Sequence, residues 1–267
     1  MKYKCLKLLA GLGFTAFLCG AFPALAQSLG AAASFAVLGG SAVTNTGPSI
    51  ITGDLGVSPG SAITGFPPGI VTGGTIHAGD PLASQAHADA ITAYNYFAGR
   101  PLNFDLTGQD LGGLTLTPGV YNFSTSAQLT GTLILNAQGN PNATFVFQIG
   151  STLTTASNSA VLMINGGQSS NVFWQVGSSA TLGAGTAFVG NILALTSITI
   201  TTGASIDGRA LALNGAVTMD SNAVAAFPDT PLVPLGRAIP TLSEWAMIMF
   251  AGLLAIAVYV STRRQNR

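Results

Sequence analysis

Ser151-Thr152-Leu153-Thr154-Thr155-Ala156 returns as Ser178-Ser179-Ala180-Thr181-Leu182-Gly183, then as Ile198-Thr199-Ile200-Thr201-Thr202-Gly203, and more loosely as Val217-Thr218-Met219-Asp220. The copies start 27, 20 and 19 residues apart. A period near 20 residues marks a solenoid, in which each turn buries its apolar side against the next. Residues two apart in a strand share a face, so Leu153, Ala180, Ile200 and Met219 form an inward column. Facing outward, this alignment stacks Thr152, Ser179, Thr199 and Thr218 in one file and Thr154, Thr181, Thr201 and Asp220 in a second. Leu129-Thr130-Gly131-Thr132-Leu133 supplies a further rung. With rungs about 4.7–4.9 Å apart, these files make a flat grid. Such a grid suits a repeating partner, for instance the surface of a crystal, better than it suits catalysis in a cleft.

The remaining composition supports one all-β domain flanked by processing signals. Of 267 residues only 7% are charged, and their formal sum is zero. That sum hides an uneven distribution. Over residues 27–235 the basic residues are Arg100 and Arg209, set against Asp54, Asp80, Asp89, Asp105, Asp110, Asp207, Asp220 and Asp229. A lysine-free acidic segment is a poor match to nucleic acid, which is held by clustered Lys and Arg. Cys5 and Cys19 are the two cysteines, and both fall in the leader described next. Rung stacking rather than disulfides must therefore stiffen the domain.

In chain order, Lys2, Lys4 and Lys7 precede an apolar run at 8–22 and the small-x-small site Ala24-Leu25-Ala26. This is the pattern of a secretory signal peptide over 1–26. The domain follows at 27–226. Residues 29–79 read as short strands broken by Gly and Pro. Asp80 and Pro81 then form a helix start, and Leu82, Ala86, Ala90, Tyr94 and Phe97 share one face until Gly99-Arg100-Pro101, which predicts a helix over about 81–98. His77 and His87 lack a Cys, Glu or third His at ligand spacing and read as ordinary surface residues. From Leu111 the strand pattern resumes, with Asn136, Asn165 and Asn214 at strand ends, where an amide can turn a corner or join a ladder. After it come a stiff proline-rich linker at 227–238 and a tail at 239–267. The apolar tail segment 245–260 is short for a spanning helix, yet Trp245 borders one end and Arg263, Arg264 and Arg267 the other, which predicts a transmembrane helix with its Arg end cytoplasmic.

Residues 29–224 resemble the ice-binding proteins of bacteria and microbial eukaryotes. The resemblance is carried by Ser34-Phe35-Ala36-Val37-Leu38-Gly39, Thr52-Gly53-Asp54-Leu55-Gly56-Val57-Ser58-Pro59-Gly60, Leu116-Thr117-Pro118-Gly119-Val120-Tyr121, Asn171-Val172-Phe173-Trp174-Gln175-Val176 and Gly208-Arg209-Ala210-Leu211-Ala212. It implies a mostly β fold, a discontinuous right-handed parallel β-helix with one long α-helix alongside. It also implies adsorption to ice through a flat face often marked Thr-Ala/Gly-x-Thr/Asn. Thr155-Ala156-Ser157-Asn158 and Thr72-Gly73-Gly74-Thr75 fit that pattern, Thr202-Gly203-Ala204-Ser205 nearly fits, and Leu182-Gly183-Ala184-Gly185 departs from it. The expected ice contacts are thus Thr72, Thr75, Thr152, Thr154, Thr155, Ser157, Ser179, Thr181, Thr199, Thr201, Thr202 and Thr218. Ile239-Pro240-Thr241-Leu242, followed by the apolar span and terminal arginines, resembles the IPTL-type sorting signal. That resemblance implies transient or stable membrane attachment, a sorting protease, and display at the cell surface or release.

Two other classes compete with this reading. A stiff rod on a surface anchor could instead be an adhesin or matrix protein binding extracellular glycans or cells. Parallel β-helices also serve as polysaccharide lyases, but those gather Asp, Lys or Arg in a groove for acid–base work. No Ser-His-Asp set, phosphate loop, metal cluster or cofactor motif stands out here. The sequence therefore points away from an enzyme and implies no cofactor.

Overall fold

The computed structural model describes residues 29–226. The leader, the linker and the tail with its apolar segment 245–260 lie outside the described residues. The described chain is a parallel β coil with one α-helix. Seven strands form one sheet, and fifteen form a second that branches into two limbs. The branching happens within two long strands, Ala187–Ala194 and Ser205–Ala212. Their first residues pair with the short strands of one limb and their last residues with the other. Gly190 and Gly208 face each other in register at the bend. Both have positive φ, and a Cβ on Gly208 would stand 2.1 Å from the Gly190 carbonyl oxygen, so only glycine lets the strand turn there.

The order of rungs is not the order of the chain. Val217–Asp220 pairs with Ala42–Thr46, Ala223–Ala225 with Ile50–Thr52, and Phe35–Gly39 with Ser205–Ala212. The first strands therefore stack on the last ones, and the helix α1 (Pro81–Ala98) carries the chain from one end of the coil to the other. Eighteen residues at about 1.5 Å each span about 27 Å, or between five and six rungs at the usual strand spacing. Asp80 caps the helix by accepting the Ala83 amide at 2.9 Å. That bond, and then one from His77, hold the Asp80 carboxyl below its ordinary value.

The buried face of α1 is Ala83, Ala86, Ala90, Ala93 and Phe97. Leu82 instead is 43% exposed, and Tyr94 only half-buried. The helix keeps Ala86, Ala90 and Phe97 of the expected stripe but turns Ala83 and Ala93 inward at its margins, because alanines let its axis lie close to a limb already packed with Phe35, Val146, Phe173 and Leu211. Phe97 stacks on Phe173 with ring centroids 4.0 Å apart. The histidines are ties rather than free surface groups. His77 lies against Phe35, with Nδ1 2.6 Å from Asp80 Oδ2 and Nε2 2.7 Å from Thr75 Oγ1, while His87 Nε2 donates to the Leu213 carbonyl at 2.6 Å.

Inside the coil the side chains stack rung on rung. Tyr121, Phe147 and Trp174 lie in register, and Phe147 and Trp174 are stacked at 3.8 Å and 8°. Arg209 is wholly buried and donates to the Ala33 carbonyl and to Asn191 Oδ1, joining the N-terminal turn to the long strands. At the turns, Asn165 Nδ2 donates to Asn136 Oδ1 and Asn214 Nδ2 to the Leu195 carbonyl, so two side-chain amides pair at one corner and an amide ties to the backbone at another. Trp174 touches aromatic rings above and below, and nothing nearby can fill its volume. Trp174→Ala is expected to lower stability by about 3–5 kcal/mol, measured as a fall in the urea midpoint at unchanged slope.

Candidate functional site

The outer surface of the seven-stranded sheet carries one continuous file. Gln128 pairs with Thr154, Thr154 with Thr181, Thr181 with Thr199, Thr199 with Thr218, Thr218 with Thr44, and Thr44 with Thr64. Six threonines thus stand side by side at successive rungs, all but Thr64 between two buried residues. On the core side lie Leu153, Ala180, Ile198, Val217 and Val43, all fully buried. Thr154, Thr218 and Thr64 are exposed, while Thr181, Thr199 and Thr44 are half-buried by their neighbours. Thr44 donates to Thr218 across the place where the two parts of the chain meet, 3.4 Å oxygen to oxygen.

This register differs from the one the repeats suggest. Thr154 and Thr181 stack with Thr199 and Thr218, not with Thr201 and Asp220. Sliding one strand by two residues keeps every side chain on its own face, so the alternation of apolar and hydroxyl residues cannot reveal such a slip. Packing decides it, by setting Ala180 against Ile198 and Leu182 against Ile200.

The remaining expected contacts scatter. Thr152, half-buried, donates to Ser126 Oγ at 2.8 Å, and Ser179 Oγ accepts from the Ser197 amide at 3.4 Å. Both lie in a flanking hydroxyl file on the same sheet. On the opposite flank Thr201 donates to the Leu182 carbonyl at 2.7 Å, and the exposed Thr202 to Asp220 Oδ2 at 2.5 Å. Ser157 is exposed in the turn after Leu153–Thr155. Thr155 is a correction: it is 3% exposed and points inward, where it accepts the Gly183 amide at 2.9 Å and meets Thr186 Oγ1 at 2.8 Å. As neighbours in a strand, Thr154 and Thr155 cannot both face outward.

Thr72 and Thr75 are exposed but lie apart from the others. Thr72 ends a strand of the fifteen-stranded sheet, its hydroxyl 3.2 Å from that of Thr52, and Thr75 is tied to His77. Neither lies on the seven-stranded sheet with the threonine file. The sequence reading missed Thr44, Thr64 and Gln128. Ala42-Val43-Thr44 and Ala62-Ile63-Thr64 repeat Ala216-Val217-Thr218 in form, and that recurrence could have found the two threonines.

Charge is sparse on this sheet. Asp220, at its edge, takes hydroxyls from Thr202 and Ser221 onto its two oxygens. Asp110, at the far end, is pushed up by partial burial but held lower overall by bonds from the Thr130 and Gly112 amides. Among the described residues no group of three or more His, Cys, Asp or Glu is placed to hold a metal ion.

A parallel coil with a sparsely charged, hydroxyl-bearing side has the form of a surface-recognition module. Residues 37–225 match the Ice-binding-like family, and the chain belongs to it. It is 59% identical over 249 residues to the ice-binding protein of Nostoc sp. (strain HG1), across 88% of this chain and 92% of that one. It is also similar to the crystal structure of an ice binding protein from an Antarctic biological consortium, with a TM-score of 0.72, 51% identity, and coverage of 74% of this chain and 90% of that chain. The ice-binding protein of the Antarctic ascomycete Antarctomyces psychrotrophicus matches with a TM-score of 0.72 at 42% identity, over 74% of this chain and 97% of its own. Residues 237–265 match the IPTL-CTERM motif.

The two sides of the sheet should respond oppositely to loss of a hydroxyl. Thr155→Val leaves the Gly183 amide without its partner and should cost about 1–3 kcal/mol. Thr181→Ala, on the outer face, should stay within about 0.5 kcal/mol of the parent, both read by urea denaturation.

Proposed function

We propose that the chain binds ice through the outer surface of its seven-stranded sheet and so restrains ice growth and recrystallisation. The observation that carries this reading is the unbroken file from Thr154 through Thr181, Thr199, Thr218 and Thr44 to Thr64. Relatives that are named ice-binding proteins support it. Threonine suits the task because its χ1 is restricted and it presents a methyl beside a hydroxyl. Methyls in a row order water into cages, and the hydroxyls hold those cages in place. The side chains lost their freedom at folding, so little ordering remains at contact. The family is non-enzymatic, and the file offers a lattice match rather than a reactive centre.

The reading extends to delivery. Residues 1–26 act as a secretory leader. The tail 239–267, which contains most of the IPTL-CTERM match, is a sorting signal whose segment 245–260 holds the chain in the membrane until a sorting protease cuts it. The domain is then displayed at the cell surface or released. An adhesin role for the same rod would appear as binding to polysaccharide or cells at room temperature, with no effect on ice.

Replacement of the central threonines provides the test. Thr181→Tyr and Thr199→Tyr should raise the concentration needed to halt recrystallisation by about tenfold or more, equivalent to about 1.4 kcal/mol, with the circular dichroism unchanged. Thr72→Tyr, on the other sheet, should leave it as in the parent. Grain growth in the presence of residues 27–238 equal to that in buffer would overturn the proposal.

A further inference from the structure

The corner that the chain turns on leaving the seven-stranded sheet holds most of the polar groups buried inside the coil, and hydrogen bonds run through it across successive rungs. Ser159 Oγ donates to the Leu129 carbonyl at 2.9 Å. Thr155 and Thr186 share the bond described above, and Thr186 also donates to the Ala156 carbonyl. Further along, Asn222 Nδ2 donates to the Thr201 and Ala204 carbonyls at 2.8 and 3.0 Å, while its Oδ1 accepts the Asp220 amide. The Asn222 backbone N–H donates to Ser49 Oγ at 2.9 Å, Ser49 donates to Asn45 Oδ1 at 2.5 Å, and Asn45 Nδ2 reaches the Gly47 and Gly65 carbonyls at 2.9 Å. Ser49, Asn45 and Asn222 are 0%, 8% and 3% exposed.

These residues occupy places that apolar ones could fill. The inward column that contains Thr155 and Asn45 is otherwise Leu129, Leu182, Ile200 and Met219. Apolar packing is non-directional and lets strands slide by fractions of an ångström. A hydrogen bond fixes distance and angle together. Each buried polar group contributes only about 0.5–1.5 kcal/mol net, a small return beside an apolar replacement, so position is the better account of why this corner is polar.

The position in question is that of the outer file. Asn45 is the immediate neighbour of Thr44, and Ser49 with Asn222 bridges the corners that follow Thr44 and Thr218. These two threonines come from strands 174 residues apart, and no covalent turn fixes one against the other. We propose that Ser49 and Asn222 are positioning residues that hold Thr44 and Thr64 in one plane with Thr218, Thr199, Thr181 and Thr154. This proposal rests on the ice-binding reading above. Without the staple the file is a four-threonine strip with two threonines tilted off it.

A double-mutant cycle in the full chain tests it, read as the concentration that halts recrystallisation near 0 °C, where far-ultraviolet circular dichroism reports folding. Thr44→Ala with Thr64→Ala should raise that concentration several-fold, and Ser49→Ala alone should raise it as much. Their combination should add nothing, because those threonines have already left the plane. A merely structural Ser49 would lower the unfolding temperature and give additive losses. Ser49→Ala in a folded protein with parental activity, or additive losses in the cycle, overturns the proposal. Should Ser49→Ala not fold, Ser49→Cys, which keeps the size of the side chain but replaces the hydroxyl by a weak donor and acceptor, takes its place in the cycle with the same two outcomes. An inactive parent chain would instead remove the ice-binding reading itself, and the positioning role with it.

Discussion

The pairing that closes the coil is the constraint on which the rest depends. A parallel strand inside a coil pairs along both edges, and parallel partners cannot be joined by a tight turn. Here the last rungs of the domain find theirs in the first strands: Ala210 with Val37, Val217 with Val43, and Val224 with Ile51. Until those pairs form, strands on both sides of the junction present open edges, which invite association with other chains. No cysteine lies in 29–226, so the ladder and the stacked interior do the joining alone. The cost of bringing together ends so far apart grows only slowly with separation, and α1 spans the interval as a stiff strut.

Closure explains why the joint is polar as well as apolar. Arg209 ties the long strands to the Ala33 carbonyl, and Asn222 with Ser49 ties the last corner to an early one. Both join segments more than 170 residues apart. A buried guanidinium or amide left without partners is expensive, so a misregistered junction would carry that penalty at several points. Apolar columns alone would tolerate a slip by two; these bonds do not.

That difference also accounts for how far the sequence could be read. Alternation of Leu153, Ala180 and Ile200 with hydroxyl residues was sufficient to announce a coil and its inward side, because burial obeys a period of two. It was blind to which threonine stands on which, since the Thr181–Thr199 register is set by how Ala180 and Leu182 fit under two isoleucines. The motif at Thr155-Ala156-Ser157-Asn158 leads into a corner, and its first residue turns inward because Thr154 already holds the outward place. His77 looked unremarkable for want of ligand spacing, yet its partners Thr75 and Asp80 were two and three residues away. The helix start at Asp80 was legible, being a local matter of one cap and one proline. Its buried stripe was legible at Ala86, Ala90 and Phe97 but not at its margins, because Ala83 and Ala93 outrank Leu82 and Tyr94 only when a sheet stands close enough to exclude a larger side chain.

The architecture also bears on what a flat hydroxyl face must do. A single threonine orders nearby water only weakly and briefly, since bulk water competes for its hydroxyl. On the proposed reading six in a row share the methyl surface between them, so each cage of water begun at one rung has its next wall already in place. The benefit grows with the length of the unbroken file, and one displaced rung divides it into two shorter files rather than removing one sixth. Continuity across the Thr218–Thr44 junction is therefore worth more than any one hydroxyl. A coil that stacks its beginning on its end puts the least covalently secured joint within the surface that most requires regularity, and the buried amide and hydroxyl of Asn222 and Ser49 sit at that joint.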